Sequence, residues 1–301
     1  MRSLPVVDLT AASAAADADR ACREVGFFYV VGHGVDAALQ RRLEEAAWSF
    51  FRRPESEKAS IAMARGGRAW RGWFPVGGEL TSGKPDRKEG VYFGAERPPS
   101  DVPLRGPNLF ASSAMRDVVL AWLDAMTALG HRLASLVGVD GALLAPEPTV
   151  LFRIFHYPPG GDVDGEWGVG EHTDYGLLTI LAMDDVPGLQ VRARDGGWID
   201  APPLHGAFLV NLGDMLERLT GGAYRSTPHR VRNTSDVGRL SFPFFFDPAW
   251  TAHVPVPDGA LPPEQRWDGA DVLAGSSVGA YGDYLVAKVS KVFPALAGEQ
   301  L

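Results

Sequence analysis

Two imidazoles and one carboxylate stand out among the side chains of this sequence that could do chemistry. His172 and Asp174, in "GEHTDYGLLTIL", sit two residues apart just before an apolar run. Along an extended chain residues i and i+2 share a face, so both side chains face the side that the following strand buries. A buried ionised carboxylate beside an imidazole is costly unless a partner compensates it. His229, in "RSTPHRVRN" on a predicted strand, is the candidate third member. Two imidazoles and a carboxylate on one face of a metal leave three adjacent positions open, the arrangement of non-haem Fe(II) centres that take a co-substrate and dioxygen together. In this reading one strand presents His172 and Asp174, and His229 arrives from a strand across a barrel.

A second polar set lies in the same block. Arg239 and Ser241, in "RLSF", share one face of a predicted strand. A guanidinium holds a carboxylate by two parallel hydrogen bonds, and a neighbouring hydroxyl donates a third. Tyr157, in "FRIFHYPP", can offer its phenol to the same carboxylate. The remaining histidines read as structural: His33 in a turn, His131 in a helix, His205 and His253 in loops, and His156 on the face opposite Tyr157. The run "KPDRKE", 84 to 89, reads as a solvated turn, and "FPFFF", 242 to 246, as core whose alternate members can reach a cavity. Trp70, Trp73 and Phe74 either line a pocket or pin a loop. No glycine-rich stretch is followed by Lys-Ser or Lys-Thr, which argues against a phosphate loop.

Periodicity and turn residues outline the elements that must position these groups. "PVVDL" and "GFFYVV" read as short strands flanking an Ala-rich helix, and "VDAALQRRLEEAAWSFF" as a helix capped by Asp36. Residues 64 to 108 read as a long structured loop, and Ser113 to Val137 as a second long helix. From Thr149 short strands follow one another at the spacing of an all-β sandwich or barrel, and a last helix lies near "VGAYGDYLVAKVSKVFPAL".

The 301 residues, 46% of them hydrophobic, suffice for a sizeable core, and the net charge of -8 argues against nucleic acid or an anionic membrane surface as partner. A small-molecule substrate is the expectation. The single cysteine, Cys22, excludes an internal disulfide and fits a reducing, cytoplasmic setting. No apolar run reaches the roughly 20 residues that span a membrane.

The segment from about Thr149 to Pro248 resembles the catalytic core of the 2-oxoglutarate-dependent, non-haem Fe(II) dioxygenases in the isopenicillin N synthase-like group. The likeness extends to "LPVVDL", "GFFYVVGHGV" and "DRKEGVYFG". It implies an α+β fold with a mainly β core, a double-stranded β-helix (jelly roll) flanked by N- and C-terminal helices. Residues 1–301 would form a single catalytic unit, with 1–110 as an N-terminal region carrying the pocket-shaping loop and 149–250 as the jelly-roll core. The resemblance assigns Fe(II) to His172, Asp174 and His229. It assigns the distal carboxylate of the co-substrate 2-oxoglutarate to Arg239 and Ser241, with Tyr157 beside them. Dioxygen is the oxidant, and oxidative decarboxylation to succinate is coupled to attack on an unactivated C–H bond. Hydroxylation is the expected outcome, with desaturation or cyclisation as variants. Bacterial secondary metabolism, amino-acid hydroxylation and small-acid oxidation all fit. The chain departs from many relatives at Phe155, where they carry Asn. Two alternatives stand: an isopenicillin N synthase-like oxidase that uses no 2-oxoglutarate, for which Gln300 is a candidate ligand near the C-terminus, and a non-catalytic jelly roll that binds a metal or small acid.

Overall fold

Runs of β-branched and aromatic residues between turns form most of the strands in the computed structural model, which describes residues 3–160, 166–260, 279–294 and 298. In chain order the strands are β1 (Val6–Asp8), β2 (Phe27–Val31), β3 (Gly72–Phe74), β4 (Leu80–Thr81), β5 (Lys84–Pro85), β6 (Glu89–Gly94), β7 (Thr149–Tyr157), β8 (Val169–His172), β9 (Leu178–Met183), β10 (Leu189–Arg192), β11 (Trp198–Asp200), β12 (Phe208–Leu212), β13 (His229–Val231) and β14 (Arg239–Asp247). The helices are α1 (Ala14–Glu24), α2 (Ala37–Phe51), α3 (Glu55–Lys58), α4 (Ser113–Leu136), α5 (Asp214–Leu219) and α6 (Tyr281–Val289). Gln300 lies outside the described residues, and no described helix is long and apolar enough to cross a membrane.

A major sheet of eight strands runs β1-β2-β12-β9-β14-β7-β6-β3, and a minor sheet of four runs β11-β10-β13-β8. Apart from the parallel β1–β2 pair, neighbouring strands are antiparallel. This is the double-stranded β-helix architecture flanked by helices. Alternation sorts the long strands β7 and β14 cleanly: Arg153, Phe155, Tyr157, Arg239, Ser241, Pro243 and Phe245 line an interior cavity, while Phe152, Phe244 and Phe246 are buried on the other face.

α4 covers that other face. Ser112 caps its start by accepting from the Met115 amide at 3.1 Å. Trp122 packs 6.4 Å from Phe152 and 5.8 Å from Phe208, and His131 meets Phe246 edge-on at 5.0 Å. Trp122, Phe152, Phe208 and Phe246 are buried, and burying each such ring stabilises the packing by roughly 1.5–3 kcal/mol. The approach is close enough that a Cβ at Gly130 would sit 2.3 Å from the Phe246 ring. His33, read as a turn or packing residue, stacks on Phe208 at 4.1 Å.

Two expectations fail in the stretch 64 to 108. It is not a loop throughout: β3 and β6 join the major sheet, and every residue of β6 is buried. A strand opening on Glu89 and closing on Gly94 offers too short an apolar run to stand out. The "KPDRKE" run is not a solvated turn either, because Asp86, Lys88 and Glu89 are buried and paired. Opposite charges at 86 and 88 neutralise each other indoors, which a reading of polarity alone misses. Trp70, Trp73 and Phe74 act as pins rather than cavity walls: all three are buried, Trp73 donates to Glu89 at 2.9 Å, and Phe74 packs on Phe155.

Candidate active site

The minor sheet ends at the residue that matters most. β8 stops at His172, and the chain crosses to β9 of the major sheet through residues 173 to 177, with Asp174 in the crossing. Asp174 is therefore not on a strand shared with His172, as alternation suggested. The third member is also nearer than expected: β13 pairs directly with β8, and His229 stands opposite His172 in register rather than across the barrel. Adjacent antiparallel strands bring opposed side chains within about 5 Å, and the two imidazole centroids are 4.2 Å apart.

The crossing is held by close backbone approach. A Cβ at Gly176 would lie 1.4 Å from Asp247 Oδ1, and one at Gly213 would lie 2.4 Å from the Gly176 carbonyl. Asp247 accepts from the Leu177 amide at 3.1 Å and from the Tyr281 hydroxyl at 2.6 Å, tying α6 to the crossing. Burial, opposed by those hydrogen bonds, pushes the Asp247 carboxyl up to about 7.

One donor atom from each of His172, Asp174 and His229 lies within 4.8 Å of the others, the single such cluster among the described residues. Asp174 Oδ1 is 3.8 Å from His172 Nε2 and 3.9 Å from His229 Nε2. The outer contacts fix which atoms point inward. His172 Nδ1 meets the Gly170 carbonyl at 2.8 Å and His229 Nδ1 meets the Thr227 carbonyl at 3.1 Å. A carbonyl only accepts, so each Nδ1 carries the proton and each Nε2 lone pair is free for a metal. Asp174 Oδ2 accepts from Thr179 Oγ1 at 2.5 Å and Asn211 Nδ2 at 2.7 Å, which leaves Oδ1 to ligate. Burial opposes ionisation of Asp174, yet the two imidazoles and these two donors outweigh it and hold the carboxyl below its ordinary value. Burial, reinforced by His172, lowers His229 to about 4, so its imidazole is neutral and ready to ligate near neutral pH. Two imidazoles and one oriented carboxylate are a donor set that fits Fe(II).

The cluster lines a cavity of about 580 Å³ that also receives Arg239, Ser241 and Tyr157. Across β14 and β7, Arg239 stands opposite Tyr157 and Ser241 opposite Phe155. The Tyr157 hydroxyl and Ser241 hydroxyl are 3.2 Å apart, and the Arg239 guanidinium lies 4.9 Å from the Tyr157 ring centre. Arg239 is 1% exposed; its Nε donates to the Val186 carbonyl at 3.1 Å, and its Nη1 is buried without a partner among the described residues. A buried guanidinium with an unsatisfied donor, flanked by two hydroxyls, fits the distal carboxylate of 2-oxoglutarate.

Several functional contacts escaped the sequence reading. Thr179 and Asn211, which orient Asp174, are polar residues interrupting apolar strands, and that interruption was the available signal. Lys88 was hidden in a charge run: it lines the cavity, pairs with Asp86 at 2.5 Å and Glu79 at 3.0 Å, and lies 4.9 Å from the centre of the Phe155 ring. Phe155, where the resemblance implies Asn, thus carries a buried ammonium over its ring.

The family model for the 2OG-Fe(II) oxygenase superfamily matches residues 148–248, and that for the N-terminal region of the non-haem dioxygenase in morphine synthesis matches residues 4–113. A protein of Dictyostelium discoideum named as a probable iron/ascorbate oxidoreductase is 43% identical, over 94% of this chain and 90% of its own length. A homoarginine-6-hydroxylase of Arabidopsis thaliana is 32% identical, over 97% of this chain and 98% of its own. Among solved structures, the dioxygenase for auxin oxidation in rice superposes with a TM-score of 0.72 at 27% identity, over 98% of this chain and 99% of its own. The chain belongs to the 2OG-Fe(II) oxygenase superfamily. It is an Fe(II)- and 2-oxoglutarate-dependent oxidoreductase that acts on a small molecule.

Proposed function

We propose that the chain hydroxylates an unactivated C–H bond of a small organic molecule. In this reading His172, Asp174 and His229 hold Fe(II), and Arg239 and Ser241, with Tyr157 beside them, hold the distal carboxylate of 2-oxoglutarate. The observation that carries it is the meeting, in one cavity, of three convergent donor atoms with a buried guanidinium whose Nη1 has no partner. When bound, iron and 2-oxoglutarate supply the oxidising power, because dioxygen decarboxylates the keto acid to succinate and a substrate C–H bond is oxidised in turn.

The protein's own part is orientation. The Gly170 and Thr227 carbonyls fix the imidazole tautomers, Thr179 and Asn211 aim the Asp174 carboxylate, and Arg239 with Ser241 and Tyr157 sets how deep the co-substrate sits. Oxidation of a small molecule is also what these relatives are named for, hydroxylation of homoarginine in the Arabidopsis enzyme and oxidation of auxin in the rice one. The motifs "LPVVDL", "GFFYVVGHGV" and "DRKEGVYFG" support grouping with isopenicillin N synthase-like enzymes, and the single, buried Cys22 is compatible with a reducing, cytoplasmic setting.

The test loads the protein with Fe(II), adds 2-oxoglutarate without oxygen, then admits oxygen and follows succinate. The expected result is one succinate per 2-oxoglutarate consumed, with iron binding and succinate both lost on replacing His172, Asp174 or His229 by Ala. Full iron and full succinate in all three variants would refute the ligand assignment. Oxygen uptake without succinate would favour the oxidase that dispenses with 2-oxoglutarate.

A further inference from the structure

The interior face of β7 carries a second guanidinium. Arg153 lines the same cavity as Tyr157, four residues along the strand, or about 13 Å at roughly 3.3 Å per residue. The Arg153 guanidinium lies 4.1 Å from the centre of the Tyr92 ring and 4.6 Å from that of Phe245. The donors of a guanidinium lie in its plane. Its Nε is buried without a partner, and no ion pair holds the group among the described residues. Nearby acids hydrogen-bond elsewhere: Glu79 accepts from the Tyr92 hydroxyl at 2.5 Å and pairs with Lys88 at 3.0 Å, while Asp247 serves Tyr281 and the Leu177 amide, so Arg153 meets them only by longer-range attraction. A planar fork of donors at a cavity wall, short of acceptors, matches a planar anion with two oxygens.

We propose that Arg153 anchors a carboxylate of the molecule that is oxidised, so that the substrate is an organic acid. This rests on the functional reading above, which gives Arg239 to the co-substrate. The two guanidinia then divide the labour: one end of β7 seats the 2-oxoglutarate carboxylate and the other seats the substrate carboxylate. α6 and the residues just after it supply Leu285, Val289 and Val292 to the cavity wall beside Lys288 and Lys291, and the three apolar side chains suit an apolar body behind the carboxylate.

The test uses 3-phenylpropionate and its primary amide, which share an apolar body and differ in charge. Each is titrated by calorimetry into the full chain loaded with Fe(II) and saturating 2-oxoglutarate without oxygen. The acid is expected to bind about 10- to 100-fold tighter than the amide, the ratio that one charge-assisted hydrogen bond supplies. Arg153→Met should erase that preference and Arg153→Lys should keep part of it, with 2-oxoglutarate affinity unchanged in both. Equal binding of acid and amide to the wild-type protein, no acid binding at millimolar concentration, or an intact preference in Arg153→Met would each overturn the proposal. The wild-type comparison stands even where a variant folds poorly. Repeating the titrations on metal-free Arg239→Ala protein separates the two readings: acid preference there supports Arg153 even if the co-substrate assignment fails, and its absence counts against Arg153 alone.

Discussion

Arg239→Lys keeps the positive charge on the cavity wall and removes the fork. In the structure the Arg239 side chain is 1% exposed, tethered through Nε to the Val186 carbonyl at 3.1 Å and left with Nη1 unpartnered. An ammonium on a flexible stem cannot hold the tether and present two parallel donors at once. The variant should therefore lose one charge-assisted hydrogen bond to the co-substrate, about 1.5–3 kcal/mol, or about 10- to 100-fold in affinity. The tether is present without ligand, so its loss falls on the stability of the β14 end, about 1 kcal/mol for a typical hydrogen bond. The metal ligands sit on β8, the crossing and β13, so iron affinity should not move. Anaerobic titration of 2-oxoglutarate into the Fe(II)-loaded protein, followed by the charge-transfer absorbance of the complex, reads the first quantity, and chelator competition reads the second. An unchanged 2-oxoglutarate affinity, or a parallel fall in iron affinity, would show that Arg239 does not act as the carboxylate seat.

The neighbouring groups give further expectations. Asn211→Ala removes a donor to Asp174 Oδ2 and should weaken Fe(II) about 10- to 100-fold, as outer contacts of metal ligands do; chelator competition that finds wild-type affinity would discard the orienting role. His229 has a folded-state pKa lowered to about 4 from 6.5, so its contribution to metal-free stability is full above pH 6.5 and is lost as pH falls toward 4, where the unfolded chain binds more protons. Urea unfolding of metal-free His229→Gln against wild type should show a stability difference that shifts in the variant's favour across that window, and a difference independent of pH would contradict it. The β1, β2, β3 and β6 strands share one sheet with β7, β9, β12 and β14, so we propose that the chain unfolds in one cooperative transition. Limited proteolysis should nick near Gly77 to Lys84 first, and release of a separately melting N-terminal half would speak against it.

Most of the scaffold was legible because its signals are local. β2, α2, α4, β12 and β14 follow from clusters of β-branched and aromatic residues between turns, from helical spacing, and from a cap such as Asp36, none of which needs knowledge of distant partners. The donor types of the metal cluster were legible for a similar reason, since His and Asp at a two-residue step beside an apolar strand are anomalous by themselves. The geometry of their meeting was not. That β13 lies against β8, with His229 opposite His172, is set by pairing across some fifty residues of chain, and register between distant strands leaves no mark in either strand alone. The misreading of "KPDRKE" has the same origin: Lys88 is tolerated indoors because Glu79 and Asp86 surround it, and the fold, not the run, puts Glu79 there.

The same distinction explains where the site is built. Asp174 occupies the crossing between two sheets, where no ladder fixes the backbone, so its position has to be secured by other means. Glycine at 176 and 213 lets two backbone segments touch, and Asp247 then accepts from the amide of Leu177 at the entrance to β9. Met215 and Asp214 complete the hold, their amides donating to the Gly176 and Asp174 carbonyls at 3.0 and 2.7 Å. An alanine at 176 would drive its methyl into Asp247, which α6 also holds through Tyr281. The crossing is thus over-determined by contacts from β14, α5 and α6, as a ligand that must hold its angle to a metal requires. The carboxylate expected on a strand stands instead on a crossing fixed by close packing and hydrogen bonds, and substitutions at Gly176 or Gly213 should impair iron binding, read by chelator competition, although neither residue offers a ligand.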